Sequence, residues 1–202
     1  MQPEEAHLAI ELAATGERIR LRLNKQHSPK AAAWMESLLA SGSCTNRSTC
    51  APHCCQFYRS EAAIGVHKLP DSFLRAHNYD PHKPPAWSKN YWWGPPFAFL
   101  QGRLWHGGPG PWKSGDTNLP TEHTLPCLHR GTVELVGGGP DFLIAYADHP
   151  MMPPHNAFAH VVEVDMPILD KLVETKTLKV QNWGAINATV FAEQQPFYLR
   201  RL

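Results

Sequence analysis

The chain has 202 residues, 43% of them hydrophobic, enough to bury one sizeable core and too few to favour two domains. Its 19 Lys and Arg nearly balance 18 Asp and Glu, so no global field draws it to nucleic acid or to an anionic membrane. No run approaches the roughly 18 apolar residues of a membrane span. The opening MQPEEAHLAIEL has neither the basic start nor the apolar centre of a signal peptide, and Met1-Gln2-Pro3-Glu4-Glu5 reads as a boundary from which a signal or anchor has been trimmed.

In chain order, HLAIELAATGERIRLRLN predicts two strands joined by a turn at Thr15-Gly16, because Ile19, Leu21 and Leu23 alternate with Arg18, Arg20 and Arg22. Ser28-Pro29 supplies an N-cap and a first-turn proline for a helix over KAAAWMESLLASG that ends at Gly42, with Trp34, Leu38 and Leu39 toward the core. Four of the five cysteines follow in CTNRSTCAPHCC (Cys44, Cys50, Cys54 and Cys55), and Cys127 stands apart. Their spacing does not suit a tetrahedral zinc site. It predicts one or two disulfides with an odd thiol left over, and therefore an oxidising compartment. Asn46-Arg47-Ser48 and Asn187-Ala188-Thr189 are sequons, so Asn46 and Asn187 are glycan acceptors if the chain is secreted. Together these features place it in the lumen of the secretory pathway (Golgi or endoplasmic reticulum) or outside the cell.

CQFYRS reads as a short strand that sets Arg59 beside Phe57 and Tyr58. Residues 61–96 hold many prolines and aromatics with no sustained period, which predicts a long ordered insertion packed by Trp87, Tyr91, Trp92 and Trp93. Strand character resumes at FAFLQGRL, and after the glycine-rich HGGPGPWKSGDTNLP come TVELV, DFLIAY and AFAHVVEV. Asp165 is placed to cap a helix over MPILDKLVE with Pro167 in its first turn, and TLKVQ and NATVF complete the sheet. The sum is a mainly β chain: one domain over residues 1–202, built as a closed eight-stranded antiparallel barrel capped by two α-helices.

Five segments resemble the cyclophilins in the right order, over about His7 to Phe191. SPKAAAWMESLLASG is similar to the family's first helix, CQFYRS to its Phe-His-Arg strand, FLQG to its Met-x-Gln-Gly strand and DFLIAY to its Gln-Phe-Phe-Ile strand. HNAFAHVVEVDMPILDKLVE resembles the family's strand, turn and second helix and is the most specific of the five. The resemblance implies a peptidyl-prolyl isomerase site that takes proline-containing peptides or proteins and needs no cofactor. It places Arg59 at the catalytic arginine, Gln101 at the glutamine and His155 at the histidine beside the proline pocket, with Phe57, Phe97, Phe142, Leu143 and Met151 as candidate lining residues. The chain departs from the family at Leu143, where a second phenylalanine is usual, at Met151 or Met152, where a tryptophan is usual, and at Ala159, where a glycine is usual.

The chemistry asks little of the protein beyond placement. Rotation about a peptide bond meets a barrier of about 18–20 kcal/mol, because the C–N bond is partly double. An arginine that donates to the prolyl nitrogen favours the pyramidal, single-bonded transition state over the planar ground state. Structural roles compete with this: Arg59 paired with Glu61 or Asp141, Gln101 as a loop anchor, His155 as an ordinary polar residue. The gaps between His149, His155 and His160 do not set a metal site. Arg59 opening into a groove with Gln101 and His155 is expected for an enzyme. Arg59 covered by Trp87, Trp92 or Trp93 is expected for a non-catalytic peptide- or protein-binding module on the same scaffold.

Overall fold

A computed structural model describes residues 7–45, 55–61, 99–104, 119–122, 128–146, 156–176, 178–183 and 187–202. Asn46, Cys50, Cys54, Phe97, Cys127, Met151, His155 and all of the 61–96 insertion after Glu61 lie outside the described residues.

Among the described residues nine strands and two α-helices follow one another: β1 (Leu8–Leu12), β2 (Arg18–Leu23), α1 (Pro29–Ala40), β3 (Gln56–Glu61), β4 (Phe99–Arg103), β5 (Thr132–Leu135), β6 (Asp141–Ala145), β7 (Ala157–Val161), α2 (Met166–Thr175), β8 (Leu178–Asn182) and β9 (Asn187–Arg201). The sheet order is β1-β2-β7-β5-β6-β4-β3-β9-β8, and β1 also pairs with β9. Eight strands therefore close an antiparallel barrel, as the sequence predicts, and β8 adds a ninth strand that pairs with the first part of β9. Closure removes the exposed edges that an open sheet of this size would have to protect.

The β1–β2 hairpin forms where the alternation predicts it: Ile19 and Leu21 are buried while Arg18 and Arg20 are exposed. Its turn is set by Gly16 at φ +73°, a left-handed conformation that glycine adopts without steric cost. The apolar faces of both helices, Met35 and Leu38 of α1 and Leu169 and Val173 of α2, join the barrel interior in one continuous core. Trp34 and Leu39 pack at the margin of that core, half-buried.

The helix starts differ from expectation. Ser28 and Asp165 hold the N-cap positions, but neither side chain caps its helix. At α1 the Glu122 carboxylate accepts the free amides of Lys30 and Ala31 at 3.2 and 3.1 Å, a cap delivered from 90 residues along the chain. At α2 the Asp165 carboxylate is occupied by Arg20, accepting its backbone amide and two guanidinium nitrogens, each at 2.8 Å. A three-residue 3₁₀ turn, Glu163–Asp165, leads into α2 in its place.

Of the five cysteines, Cys44 and Cys55 form a disulfide with Cα atoms 5.6 Å apart. It ties the loop after α1 to the start of β3, and the carbonyls of both cysteines accept amides of β9, from Leu199 and Phe197. No helix among the described residues is long and apolar enough to cross a membrane.

Candidate functional site

The site is built by a break in the alternation of β3. Phe57 pairs with Gly102 and Arg59 pairs with Gln101, so two residues of β3 span one step of β4. The irregularity recurs between β3 and β9. Strict period 2 would put Phe57 and Arg59 on the same face, whereas a bulge turns the second residue over. Phe57 therefore stays inside, fully buried against Phe142 and Phe197 at ring separations of 5.7 and 4.8 Å. Arg59 is turned onto the outer face with Gln101.

Register extends this into a line across the outside of the barrel. Lys179 pairs with Val190, Val190 with Arg59, Arg59 with Gln101, Gln101 with Leu143 and Leu143 with Glu134. Directly opposed residues share a face, so these six side chains form one row over β8, β9, β3, β4, β6 and β5. Arg59 donates from an NH group to Gln101 Oε1 at 3.0 Å. A guanidinium offers only donors, so Gln101 must turn its carbonyl to Arg59 and present its NH₂ elsewhere.

Two rings sandwich the guanidinium: Phe99 at 5.1 Å and Trp183 at 5.0 Å from ring centroid to Arg59 Cζ. Arg59 is only 7% exposed, while Trp183 itself remains 40% exposed. The indole that follows β8 is thus one of the groups over the arginine, and Trp87, Trp92 and Trp93 lie outside the described residues. Phe99 and Leu143 belong to a small apolar cluster on the outer face with Leu128 and Val136.

Beside the row lies a concavity of about 620 Å³, lined among others by Tyr58, Gln101, Arg103, Asp141, Lys179 and Trp183. Its floor is a closed polar network. Arg103 donates to Asp141 at 2.6 and 3.2 Å, and the Tyr58 hydroxyl donates to the same carboxylate at 3.0 Å. Burial together with the nearby Asp141 charge raises the Tyr58 pKa, which holds the hydroxyl as a donor.

Arg59 and Gln101 are thus brought together, and Leu143 stands beside Gln101 in the row. Phe57 and Phe142, expected to line the site, are instead interior packing residues, because both point to the face opposite Gln101 and Leu143. Of the two structural partners weighed for Arg59, Glu61 and Asp141, the second is paired with Arg103. His155, Phe97 and Met151 are outside the described residues, and Asn187 opens β9. Sequence reasoning missed Trp183, Phe99, Lys179 and the Tyr58–Asp141–Arg103 network. Alternation carried from Lys179 through Gln181 would have put Trp183 on the Arg59 side. Among the described residues no group of three or more His, Cys, Asp or Glu is placed to hold a metal ion.

In comparisons with known proteins, the chain matches no family model, no curated protein and no solved structure.

Proposed function

We propose that the chain is a divergent cyclophilin-like peptidyl-prolyl cis-trans isomerase that binds X-Pro segments of proteins on the outer face of the barrel, with weakened activity. The observation that carries this reading is the bulge that delivers Arg59 to the outer face in hydrogen-bond contact with Gln101. In this role Arg59 donates to the prolyl nitrogen as it pyramidalises, the NH₂ of Gln101 holds a substrate carbonyl, and Leu143 with Phe99 walls the proline ring. The apolar cluster around Leu143 lowers the local dielectric and strengthens the arginine's field.

In this reading the Trp183 indole competes with substrate for the Arg59 guanidinium and weakens the activity. Lifting one indole off a guanidinium costs about 0.5–2 kcal/mol. Against that contact alone, roughly 3–30% of molecules have the indole lifted, and a bound peptide displaces it at the cost of part of its affinity. Cys44–Cys55 fits an oxidising compartment, which supports the secretory lumen or the extracellular space as the site of action, with Asn46 and Asn187 as glycan acceptors. The burial of Arg59 favours a second reading, a non-catalytic module that captures proline-containing partners on the same scaffold.

An isomerisation assay on a small X-Pro peptide separates the two. For the enzyme, the wild type accelerates the reaction, Arg59→Ala loses about 100-fold and Trp183→Ala gains about 3- to 30-fold. A wild type and a Trp183→Ala variant that both bind the peptide yet leave its isomerisation rate unchanged establish the binding module.

A further inference from the structure

The concavity beside Arg59 has a definite charge. Its one carboxylate among the described lining residues, Asp141, is consumed by Arg103 and Tyr58. Lys179 lines the same space, is exposed, and has no ion-pair partner among the described residues. The remaining polar lining comes from the carboxamides of Gln56, Gln101, Gln181 and Gln194, which carry no charge and can both donate and accept. Among the described lining residues one cation is therefore uncompensated in a hollow of about 620 Å³, which favours an anion there.

The hollow is joined to the row through Gln101, whose carbonyl holds Arg59 and whose NH₂ is left for the hollow. Lys179 lies in the same row as Arg59, separated from it by Val190 alone. Two strand spacings of about 4.8 Å put the two backbones roughly 10 Å apart, the span of about three residues of extended peptide. A peptide with its proline at Arg59 thus carries a residue about three positions away to Lys179. We propose that this concavity is an acidic-residue subsite: it takes the carboxylate of an Asp or Glu about three positions from the proline of a bound peptide, with Lys179 as its counter-charge. The proposal rests on the X-Pro reading of the row, and it makes the preferred partners acidic proline-containing segments.

The experiment is a peptide-binding titration with the full chain, using peptides with Glu, Gln or Lys three positions before or after a central X-Pro, and a matched set in which proline is replaced by alanine. The wild type is expected to prefer the Glu peptide over the Gln peptide by about two- to fivefold at low salt, the range of an exposed ion pair. Lys179→Gln is expected to abolish that preference and Lys179→Glu to invert it in favour of the Lys peptide. Higher ionic strength is expected to flatten it. Proline-dependent binding with equal affinity for all three charges overturns the subsite and leaves the X-Pro reading standing. Acid-selective, Lys179-dependent binding that ignores proline keeps the anion site and overturns the X-Pro reading. A preference that survives both Lys179 variants overturns the assignment to Lys179.

Discussion

On the inside of the barrel β3, β4 and β6 contribute Phe57, Gly102 and Phe142; on the outside the same three strands contribute Arg59, Gln101 and Leu143. The inner three fit one another to within atomic contact. A Cβ added at Gly102 would sit 2.7 and 2.8 Å from ring atoms of Phe142 and 3.0 Å from Phe57, so the glycine is there to make room for the rings. The outer three are held differently: Arg59 and Gln101 by one hydrogen bond and by rings stacked on the charge, Leu143 by a small apolar cluster with Phe99 and Leu128. Packing density dictates identity on the first face. On the second, all three side chains are also buried, but their identity is set by polar pairing and ring stacking as well as by fit.

Three measurements sharpen the contrast. The largest effect is expected at the covalent tie that fixes the start of β3. Cys44 and Cys55 are 11 residues apart, and losing that crosslink by Cys44→Ala with Cys55→Ala should cost about 2–4 kcal/mol in urea unfolding. An unchanged midpoint would mean that the hydrogen bonds from Leu199 and Phe197 anchor the strand unaided. Next, Gly102→Ala should destabilise by about 1–3 kcal/mol, because Phe142 is 1% exposed and has nowhere to retreat. A neutral result would show that Phe142 and Phe57 can shift to admit a methyl group.

The smallest effect is expected at a polar contact that serves structure alone, Arg20 with Asp165. Burial alone would raise the Asp165 pKa, but hydrogen bonds from the Arg20 side chain and amide outweigh it, and the net shift is below 3.8. The unfolded state therefore takes up the proton first as acid is added. The stabilisation is present above about pH 4 and is lost as pH falls through the lower folded value. With Arg20 44% exposed, solvent screens the pair and the effect is expected to be small. The stability gap between wild type and Asp165→Asn should shrink from pH 7 to pH 2.5, and a gap independent of pH would assign the contact no electrostatic role.

The strands and the first helix were legible because their cause is local. Alternation at Ile19, Leu21 and Leu23 and the run KAAAWMESLLASG depend on neighbours in sequence. The facing of Arg59 was not, since a bulge is decided by how β3 meets β4 and β9 at once. Motif position brought Arg59 and Gln101 together correctly as neighbours. It placed Phe57 and Phe142 at the site because it carries no information about which side of the sheet a residue faces. The helix caps failed for the same kind of reason: Glu122 reaches α1 across the fold, and Arg20 draws Asp165 away from α2. Trp183 went unread because it follows a strand whose last residues were treated as its end.

β1 takes its place in the barrel by pairing Leu8 with Arg201 and Leu12 with Phe197. The ring cannot shut until the C-terminal strand has been made. At a synthesis rate of about 5–20 residues per second, β1 waits roughly 10–40 s after it emerges. Throughout that interval Leu8, Ile10 and Leu12 sit on an edge without its β9 partner, and such an edge is a template for pairing with another chain. Such a contact, spanning almost the whole chain, also predicts slow folding, since the entropy of closing the loop is spent before the pairing repays it.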